Sequence, residues 1–272
     1  MVDAERKSIE VDDEMATALG EKRKERKFHL DYVIKGGDLQ LLIITLYPGQ
    51  TIIAEAGALN FMEQGIKFET KLGDGSKEKQ DLGSKLLGAL SRALTNESLF
   101  VTHFGNCDEA PRAIGLASPY PGSIVPIDLK ECDGEIICQK DAFIAANKGT
   151  SISVAFTKKV DAIFFGGEGF VLQKLKGEGT AFLHAGGTIT KRVLNNEEIV
   201  IDTGSLVAFT KDLKYNARMV RSMKSMLFAQ EGMFLTTLSG TGEVWIQSLP
   251  FNRLVANIVS HIPSSFFNKN KG

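Results

Sequence analysis

The sequence predicts an all-β protein built from three tandem copies of one strand-turn-strand unit. Three observations support this fold class: frequent glycines, short apolar runs whose side chains alternate with a period of two, and segments that recur at a fixed offset. The 272 residues contain 27 Gly and 17 Phe, and the glycines separate short apolar runs. This arrangement is typical of many short strands joined by turns. The length is sufficient for one domain with a full-sized core.

The clearest recurrence has an offset of 63 residues. Segment 167–172 (GEGFVL) matches segment 230–235 (QEGMFL), and segment 175–179 (LKGEG) matches segment 238–242 (LSGTG). One offset therefore aligns glycines and glutamates as well as aliphatic residues, which indicates an internal repeat. Strand-like runs, and no helical pattern, follow the Gly-x-Gly elements. We therefore expect hairpin turns at these elements and not a phosphate-binding loop.

A more divergent first copy lies upstream. Gly57 matches Gly204 at an offset of 147, and segment 96–100 matches segment 167–171 at an offset of 71. From Gly57 to the matched glutamate is 40 residues, against 27 from Gly204, so the first copy carries 13 extra residues. The extra segment predicts one inserted amphipathic helix, because five leucines share one helical face: Leu82, Leu86, Leu87, Leu90 and Leu94.

The repeat pattern also predicts the domain boundaries. We expect a charged N-terminal extension at residues 1–27, a single β domain at 28–262 and a C-terminal tail at 263–272. Within the β domain, the three repeats are expected to span about 28–120, 121–186 and 187–262.

Charge and hydropathy favour a cytoplasmic protein without a polyanionic partner. The 32 basic and 33 acidic residues give a net charge of -1, which disfavours attraction to nucleic acid or an acidic membrane. The charged N-terminus does not resemble a signal peptide. The longest uncharged stretch, residues 39–54, is too short to span a bilayer as a helix. The odd number of cysteines, without a CxxC pair, favours reduced thiols over a disulfide framework: Cys107, Cys132 and Cys138.

Five short motifs carry a family resemblance. They are YPGQ at 47–50, PYPGSIVPIDL at 119–129, GGEGF at 166–170, DTGSLVAF at 202–209 and VWIQS at 244–248. Their order and spacing over residues 30–260 resemble the altered-inheritance-of-mitochondria protein 24 family, in its bacterial branch. Gln230 and Thr241 depart from the glycine and proline that are more typical of the family at these positions.

The resemblance implies a particular version of the all-β fold. Each repeat would be a subdomain similar to the tryptophan RNA-binding attenuation protein (TRAP), a short double-stranded β-helix. The three TRAP-like subdomains would have a pseudo-threefold arrangement, and the chain would assemble as a homotrimer. The resemblance implies no enzyme reaction.

Three glutamates recur before the same apolar strand of each copy: Glu97, Glu168 and Glu231. A catalytic carboxylate is needed once, in one perturbed environment. A carboxylate repeated at equivalent turns is expected to accept hydrogen bonds from backbone amides that the turn leaves unpaired. We therefore interpret these glutamates as structural, and a charged ring where the copies converge is the alternative.

The densest basic stretch of the β domain is a candidate nucleic-acid site, formed by Lys211, Lys214, Tyr215, Arg218 and Arg221. An aromatic ring among basic residues can stack on a base of single-stranded nucleic acid. Alternation along this stretch instead favours a solvated strand edge, because charged residues at an edge discourage aggregation.

Metal and nucleophile chemistry are not supported by the motifs. The four histidines form no H-x-H or H-x3-H pair and do not recur between copies: His29, His103, His184 and His261. No G-x-S-x-G motif occurs, and no cysteine has the context of an activated thiolate. We therefore expect no catalytic residue, no metal and no cofactor.

These features favour a non-enzymatic oligomeric β scaffold that binds a macromolecule, such as a protein, or a small ligand at subunit junctions. The alternatives are a nucleic-acid-binding ring and a small-molecule enzyme with a site in the β-helix. An unrepeated, buried pair of carboxylates or histidines in a pocket would favour the enzyme.

Overall fold

The computed structural model describes residues 29–72, 100–158, 170–220 and 233–262. These residues form mainly strands, and every pairing between the named strands is antiparallel. The prediction of an all-β class is therefore confirmed at this level. The predicted N-terminal extension, the inserted helix at Leu82–Leu94 and the C-terminal tail lie outside the described residues.

The strands fall into three consecutive units in chain order. The first unit follows β1 (Asp31–Lys35) and contains β2 (Leu41–Leu46), β3 (Thr51–Ala54), β4 (Leu59–Met62), β5 (Ile66–Leu72), β6 (Phe100–Asn106) and β7 (Arg112–Ala117). The second contains β8 (Gly122–Asp128), β9 (Glu135–Gln139), β10 (Phe143–Asn147), β11 (Ser151–Lys158), β12 (Phe170–Lys176) and β13 (Thr180–Gly186). The third contains β14 (Ile189–Asp202), β15 (Leu206–Thr210), β16 (Lys214–Val220) and β17 (Met233–Gln247).

The elements of the second and third units recur with a constant spacing. The short 3-10 helix Lys140–Ala142 and strands β10, β11 and β12 each begin 63 residues before the helix Thr203–Ser205 and strands β15, β16 and β17. The first unit has the same order of elements, with its short helix at Ala56–Ala58. In the third unit β14 and β17 are long strands. β14 covers the positions that β8 and β9 occupy in the second unit, and β17 covers the positions of β12 and β13.

Each unit has two groups of three strands. In the first unit β2 and β4 flank β7, and β5 and β3 flank β6. In the second unit β8 and β10 flank β13, and β11 and β9 flank β12. Strands β10 and β13 are buried on both faces, as expected for strands between packed layers. Strands β2 and β9 alternate between buried and partly exposed side chains.

The Gly-x-Gly elements do not form the hairpin turns that the sequence predicts. Residues 177–179 connect β12 and β13, which lie in different sheets, and residues 240–242 lie inside the continuous strand β17. Both elements need glycine, because the chain changes direction there while atoms of neighbouring residues lie close to its backbone. A Cβ on Gly242 would lie 2.3 Å from the Thr210 hydroxyl oxygen, and Gly240 has a φ of +123°.

Two equivalent strand pairs join the units. Ala54 of β3 pairs with Ala145 of β10, and Cys138 of β9 pairs with Ala208 of β15. These two pairs create the larger sheets, β5-β6-β3-β10-β13-β8 and β11-β12-β9-β15-β17-β14. The equivalent edges that remain belong to β4 and to the second half of β14, and within the described ranges no strand pairs with either edge.

The beginnings of the three units meet at one place. Leu39 forms a parallel bridge with Gly122, which forms a second parallel bridge with Gly187. The Gly122 amide donates to the Asp38 carbonyl oxygen over 2.7 Å. A Cβ on Gly122 would lie 2.1 Å from the Ala185 carbonyl oxygen, so only glycine fits here.

One cross-strand contact pairs a large aromatic side chain with a small residue in every unit, but the aromatic lies on a different strand in the first unit. Ala145 pairs with Phe182 in the second unit, and Ala208 pairs with Trp245 in the third. In the first unit Phe61 pairs with Gly115, and a Cβ on Gly115 would lie 2.3 Å from the Phe61 ring. A register shift accompanies the contact in each unit, so a bulge recurs at the same position.

Three clusters of buried side chains form the core. Phe104 and Phe182 lie in the cluster between the first two units, and Phe209 lies in a cluster between the second and third units. All three are at most 1% exposed. Burial of a side chain of this size stabilises the fold by roughly 1.5–3 kcal/mol. A third cluster contains residues from all three units, including Ile53, Leu175 and Trp245.

A helix follows the last strand, which the sequence did not lead us to predict. This helix, α1 (Phe251–Ser260), begins after Pro250, and none of its residues is buried. The Arg253 guanidinium contacts the Asp202 carboxylate over 3.1 Å. The signal for α1 was a helical spacing of Phe251, Val255 and Ile258 immediately after a proline.

Candidate functional site

A cleft of about 250 Å³ lies where the first two units meet. The 3-10 helices Ala56–Ala58 and Lys140–Ala142 form two of its walls, and the linker before β8 forms a third. The side chains that give it chemical character are Glu55, Tyr120, Asp141, His184 and Phe251. The cleft thus brings together residues from both units and from the start of α1.

Two carboxylates stand at the cleft, each held by a short helix. Glu55 precedes the helix Ala56–Ala58, and its backbone amide donates to the Ile144 carbonyl oxygen over 2.9 Å. Asp141 lies inside the helix Lys140–Ala142. Partial burial raises the pKa of Glu55, the negative charge of Asp141 raises it further, and the positive charge of Lys140 opposes the shift. Both side chains are nonetheless solvent-exposed at the rim.

An imidazole and two aromatic rings form the inner part of the cleft. His184 on β13 is 3% exposed, and the edge of its ring meets the Tyr120 ring at a centroid distance of 4.6 Å. The Tyr120 ring also contacts Phe251 at 4.8 Å. Burial lowers the pKa of His184 to about 4, so the imidazole is neutral at physiological pH. Burial, followed by the charges of Asp141 and Glu55, raises the pKa of Tyr120 to about 12.

The junction between the second and third units is filled by two glutamines at the matching positions. Gln139 donates from Nε2 to the Thr203 carbonyl oxygen over 3.0 Å. Gln247 donates from Nε2 to the Gly204 carbonyl oxygen over 2.7 Å, and its Oε1 accepts from the Gly186 amide over 2.7 Å. By strand register, Glu55 corresponds to Gln139 and His184 to Gln247. The first junction therefore has the side chains of a glutamate and a histidine where the second has the side chains of two glutamines.

The repeated glutamates and part of the basic stretch lie beyond the described residues. Glu97, Glu168 and Glu231 all fall outside them, as does Arg221. The structural role of the three glutamates therefore stays a prediction.

The described part of the basic stretch is an exposed strand face. Lys214 and Arg218 are exposed on β16, which pairs with β17. Tyr215 points to the other face, where its ring stacks on Phe209 at 5.7 Å and meets Phe156 at 5.1 Å. Because this ring is packed inside the protein, it is not available to stack on a base.

Lys211 lies in the turn before β16. Its Nζ is 3.8 Å from an Asp133 carboxylate oxygen. The turn therefore presents a basic side chain that already has an acidic neighbour.

The histidines lie in four separate places. The His29 Nε2 atom is 2.9 Å from an Asp31 carboxylate oxygen, and His261 contacts the Asn257 carbonyl oxygen over 2.8 Å. His103 is buried on β6, away from the cleft that contains His184. In residues 29–72, 100–158, 170–220 and 233–262, no three histidine, cysteine or carboxylate side chains are placed to hold a metal ion together.

The cysteines differ in exposure. Cys107 is exposed, whereas Cys132 and Cys138 are buried, and all three are free thiols. Burial raises the pKa of Cys132 to about 11 and that of Cys138 to about 12. The two buried thiols are therefore protonated at neutral pH, and a protonated thiol is a poor nucleophile.

Among the described helices, none is long and apolar enough to cross a bilayer.

Sequence reasoning did not identify the cleft residues as a site. The available signal was a difference between copies: Glu55, Gln139 and Asp202 share one position, and only the second copy has the amide. His184 was considered only as a metal ligand, whereas its position in the cleft depends on strand register.

Comparison with known proteins places the chain in a family. It is 27% identical to an uncharacterized protein of Streptococcus pyogenes serotype M6 over 227 residues, which are 83% of this chain and 88% of the relative. Its fold is similar to the crystal structure of another Streptococcus pyogenes protein, with a TM-score of 0.68 and 22% identity, over 86% of this chain and all of that one. A family model described as mitochondrial biogenesis AIM24 matches residues 32–249. On this match the chain belongs to the mitochondrial biogenesis AIM24 family.

Proposed function

We propose that this chain is a non-enzymatic scaffold of the cytoplasm that assembles as a homotrimer and binds partners at subunit junctions. In this proposal the three units are TRAP-like subdomains in a pseudo-threefold arrangement. The equivalent pairs Ala54–Ala145 and Cys138–Ala208 support it, as do the bridges among Leu39, Gly122 and Gly187.

The exposed apolar face of α1 carries the proposal. Five apolar side chains on and just after this helix are 37–53% exposed: Phe251, Val255, Ile258, Val259 and Ile262. A helix of ten residues is marginal in water unless its apolar face packs against something. A contiguous apolar surface of this kind is typical of protein–protein interaction sites. In a trimer, a neighbouring subunit would cover this apolar surface.

The edge of β4 supports the same conclusion. Leu59, Phe61 and Met62 are 36–38% exposed along it. The matching edges of β10 and β15 each take a strand, β3 and β9 respectively. An edge that is apolar and accepts a strand in two equivalent places is suited to pair with a strand from another chain.

Light scattering tests the proposal with a matched pair of variants. The full chain at micromolar concentration is expected to have three times its 29.6-kDa mass. Ile258→Glu places a charge in the apolar face of α1 and should lower the mass to that of one chain. Asn257→Glu adds the same charge at the neighbouring exposed position and should leave the trimer intact. A wild-type monomer would refute the proposal, and a trimer unaffected by Ile258→Glu would exclude α1 as its interface.

A nucleic-acid-binding ring is the second candidate, because Lys214 and Arg218 share the exposed face of β16. Filter binding of single-stranded RNA at two salt concentrations separates the two functions, since phosphate contacts weaken steeply with salt. Retention at low salt that is lost in Arg218→Ala would favour the ring. No retention at low salt would exclude it.

The enzyme alternative depends on the cleft between the first two units. Its carboxylates, Glu55 and Asp141, are exposed at the rim, and His184 is the one imidazole that the described residues bring to it. Among the described residues, no buried pair of carboxylates or histidines comes together in the cleft, which is the arrangement that would favour an enzyme.

A further inference from the structure

We propose that the cleft between the first two units binds a small primary ammonium compound, with Glu55 as its counter-charge. The proposed site needs no residue of a neighbouring subunit, although Phe251 belongs both to its wall and to the apolar face of α1. Three features of the molecule support this site: the composition of the cleft, an unpartnered buried group in its wall and the difference from the filled second junction.

The comparison between junctions shows what the cleft lacks. At the second junction, Gln139 and Gln247 donate to two backbone carbonyl oxygens, and Gln247 accepts from a backbone amide. At the first junction, Glu55 has an acceptor-only carboxylate in place of the first glutamine. Pro119 occupies the position that matches Gly186, and proline has no amide hydrogen to donate. The first junction thus lacks two donors that the second junction has, and the Glu55 carboxylate adds an acceptor.

His184 provides an independent indication of a missing donor. Its side chain lines the cleft and is 3% exposed, yet its Nδ1 has no hydrogen-bond partner in the described part of the chain. A bond with the backbone of Tyr120 raises the pKa of the ring, which indicates that the imidazole donates to that backbone. The unpartnered nitrogen of the neutral ring is then an acceptor. Buried polar atoms without a partner are uncommon and call for an explanation.

The charges indicate that the ligand is a cation. Glu55 and Asp141 repel each other, since the charge of Asp141 raises the pKa of Glu55. Lys140 compensates only part of this repulsion. A cation in the cleft would remove it. The Glu55 carboxylate accepts no hydrogen bond among the described residues, so it is available to a ligand.

The size and the aromatic wall favour an organic ammonium ion over a metal ion. Metal ions need several converging ligands, and the described residues provide no group of three. An ammonium group brings three donors and can also contact the faces of aromatic rings such as Tyr120 and Phe251. A volume of about 250 Å³ is below the range of typical drug-sized sites, which limits the ligand to a short chain.

The test uses butylammonium chloride as the probe and the full-length chain as the receptor. Saturation-transfer NMR of the probe reports binding whether the chain is a monomer or a trimer. We expect saturable binding with a dissociation constant on the order of 1 mM, as is reasonable for a ligand of this size. 1-Butanol at the same concentration, with sodium chloride added to match ionic strength, should show no saturable binding.

Variants locate the site. Glu55→Gln introduces the amide found at Gln139 and should weaken butylammonium binding about two- to fivefold, as expected for loss of one exposed charge contact. Glu198→Gln removes an exposed carboxylate from β14 and should leave binding unchanged. Thermal unfolding of both variants verifies that they are folded.

Three results would overturn the proposal: no saturable binding of butylammonium, equal binding of 1-butanol, or equal affinity of the wild type and Glu55→Gln. If Ile258→Glu abolishes the trimer but retains butylammonium binding, the ligand site stands independently of the assembly. If the trimer forms and butylammonium does not bind, only the ligand site is refuted.

Discussion

His184→Gln tests whether the cleft contains a neutral, buried imidazole. The pKa of His184 is lowered from 6.5 to about 4 by burial. Because the pKa in the folded state is the lower one, the unfolded chain takes up the proton first as the pH falls. The stability associated with His184 is therefore present in full above about pH 6.5 and is lost progressively as the pH falls toward 4.

The magnitude follows from the size of the shift. One pKa unit corresponds to about 1.4 kcal/mol, so at pH 5 the unfolded state gains roughly 2 kcal/mol from this one group. Glutamine cannot take up the proton, and Gln247 shows that the fold accommodates it at the matching position. The wild type should thus lose about 2 kcal/mol more than His184→Gln between pH 7.5 and pH 5.

Urea denaturation at the two pH values measures this difference at a fixed protein concentration. Titration of the many carboxylates affects both proteins and cancels in the comparison. His261→Gln, which changes an exposed histidine at the C-terminal end of α1, should behave as the wild type does. Equal losses of stability in the wild type and His184→Gln would refute the reasoning, because the imidazole would then be protonated in the folded protein.

Three further predictions concern the fold. Gly122→Ala should destabilise the protein by more than about 2 kcal/mol in urea denaturation, because its Cβ would lie 2.1 Å from a backbone oxygen, whereas Gly37→Ala has nothing within 4 Å and should change stability little. Asn106→Ala should cost about 2–3 kcal/mol, because the buried amide donates to the carbonyl oxygens of Leu46 and Ala110 over 2.8 Å; a smaller loss by thermal or urea unfolding would contradict this. A thiol reagent should modify one cysteine per native chain, Cys107, and mass spectrometry that finds Cys132 or Cys138 labelled at the same rate would be inconsistent with their burial.

The sequence was sufficient for the fold class because its signals are local. Alternation at Phe234, Thr236 and Leu238 predicts a strand, and these side chains are buried while their neighbours are partly exposed. The direction of the chain at the Gly-x-Gly elements was predicted wrongly. A turn between two strands of one sheet and a passage between two sheets both require glycine, so composition alone does not distinguish them.

The candidate site was harder to predict because it depends on register. Glu55 and His184 are 129 positions apart in the sequence, and strands β3, β10 and β13 must align before both reach one cleft. Conversely, Tyr215 lies among basic residues in the sequence, yet strand alternation turns its ring inward onto Phe209. Local composition therefore indicated a candidate nucleic-acid interface at β16, but the Tyr215 ring is not available to stack on a base there.

The large aromatic side chain of the recurring cross-strand contact lies on different strands in different units, and this restricts which substitutions the protein can accept during evolution. At the Phe61–Gly115 contact, enlarging the glycine alone creates a clash, and shrinking the phenylalanine alone leaves a void. The route to the arrangement of Ala145 and Phe182 therefore crosses a less stable intermediate. Related chains are expected to carry one arrangement or the other and seldom a mixture, so substitutions at these two positions should be inherited together.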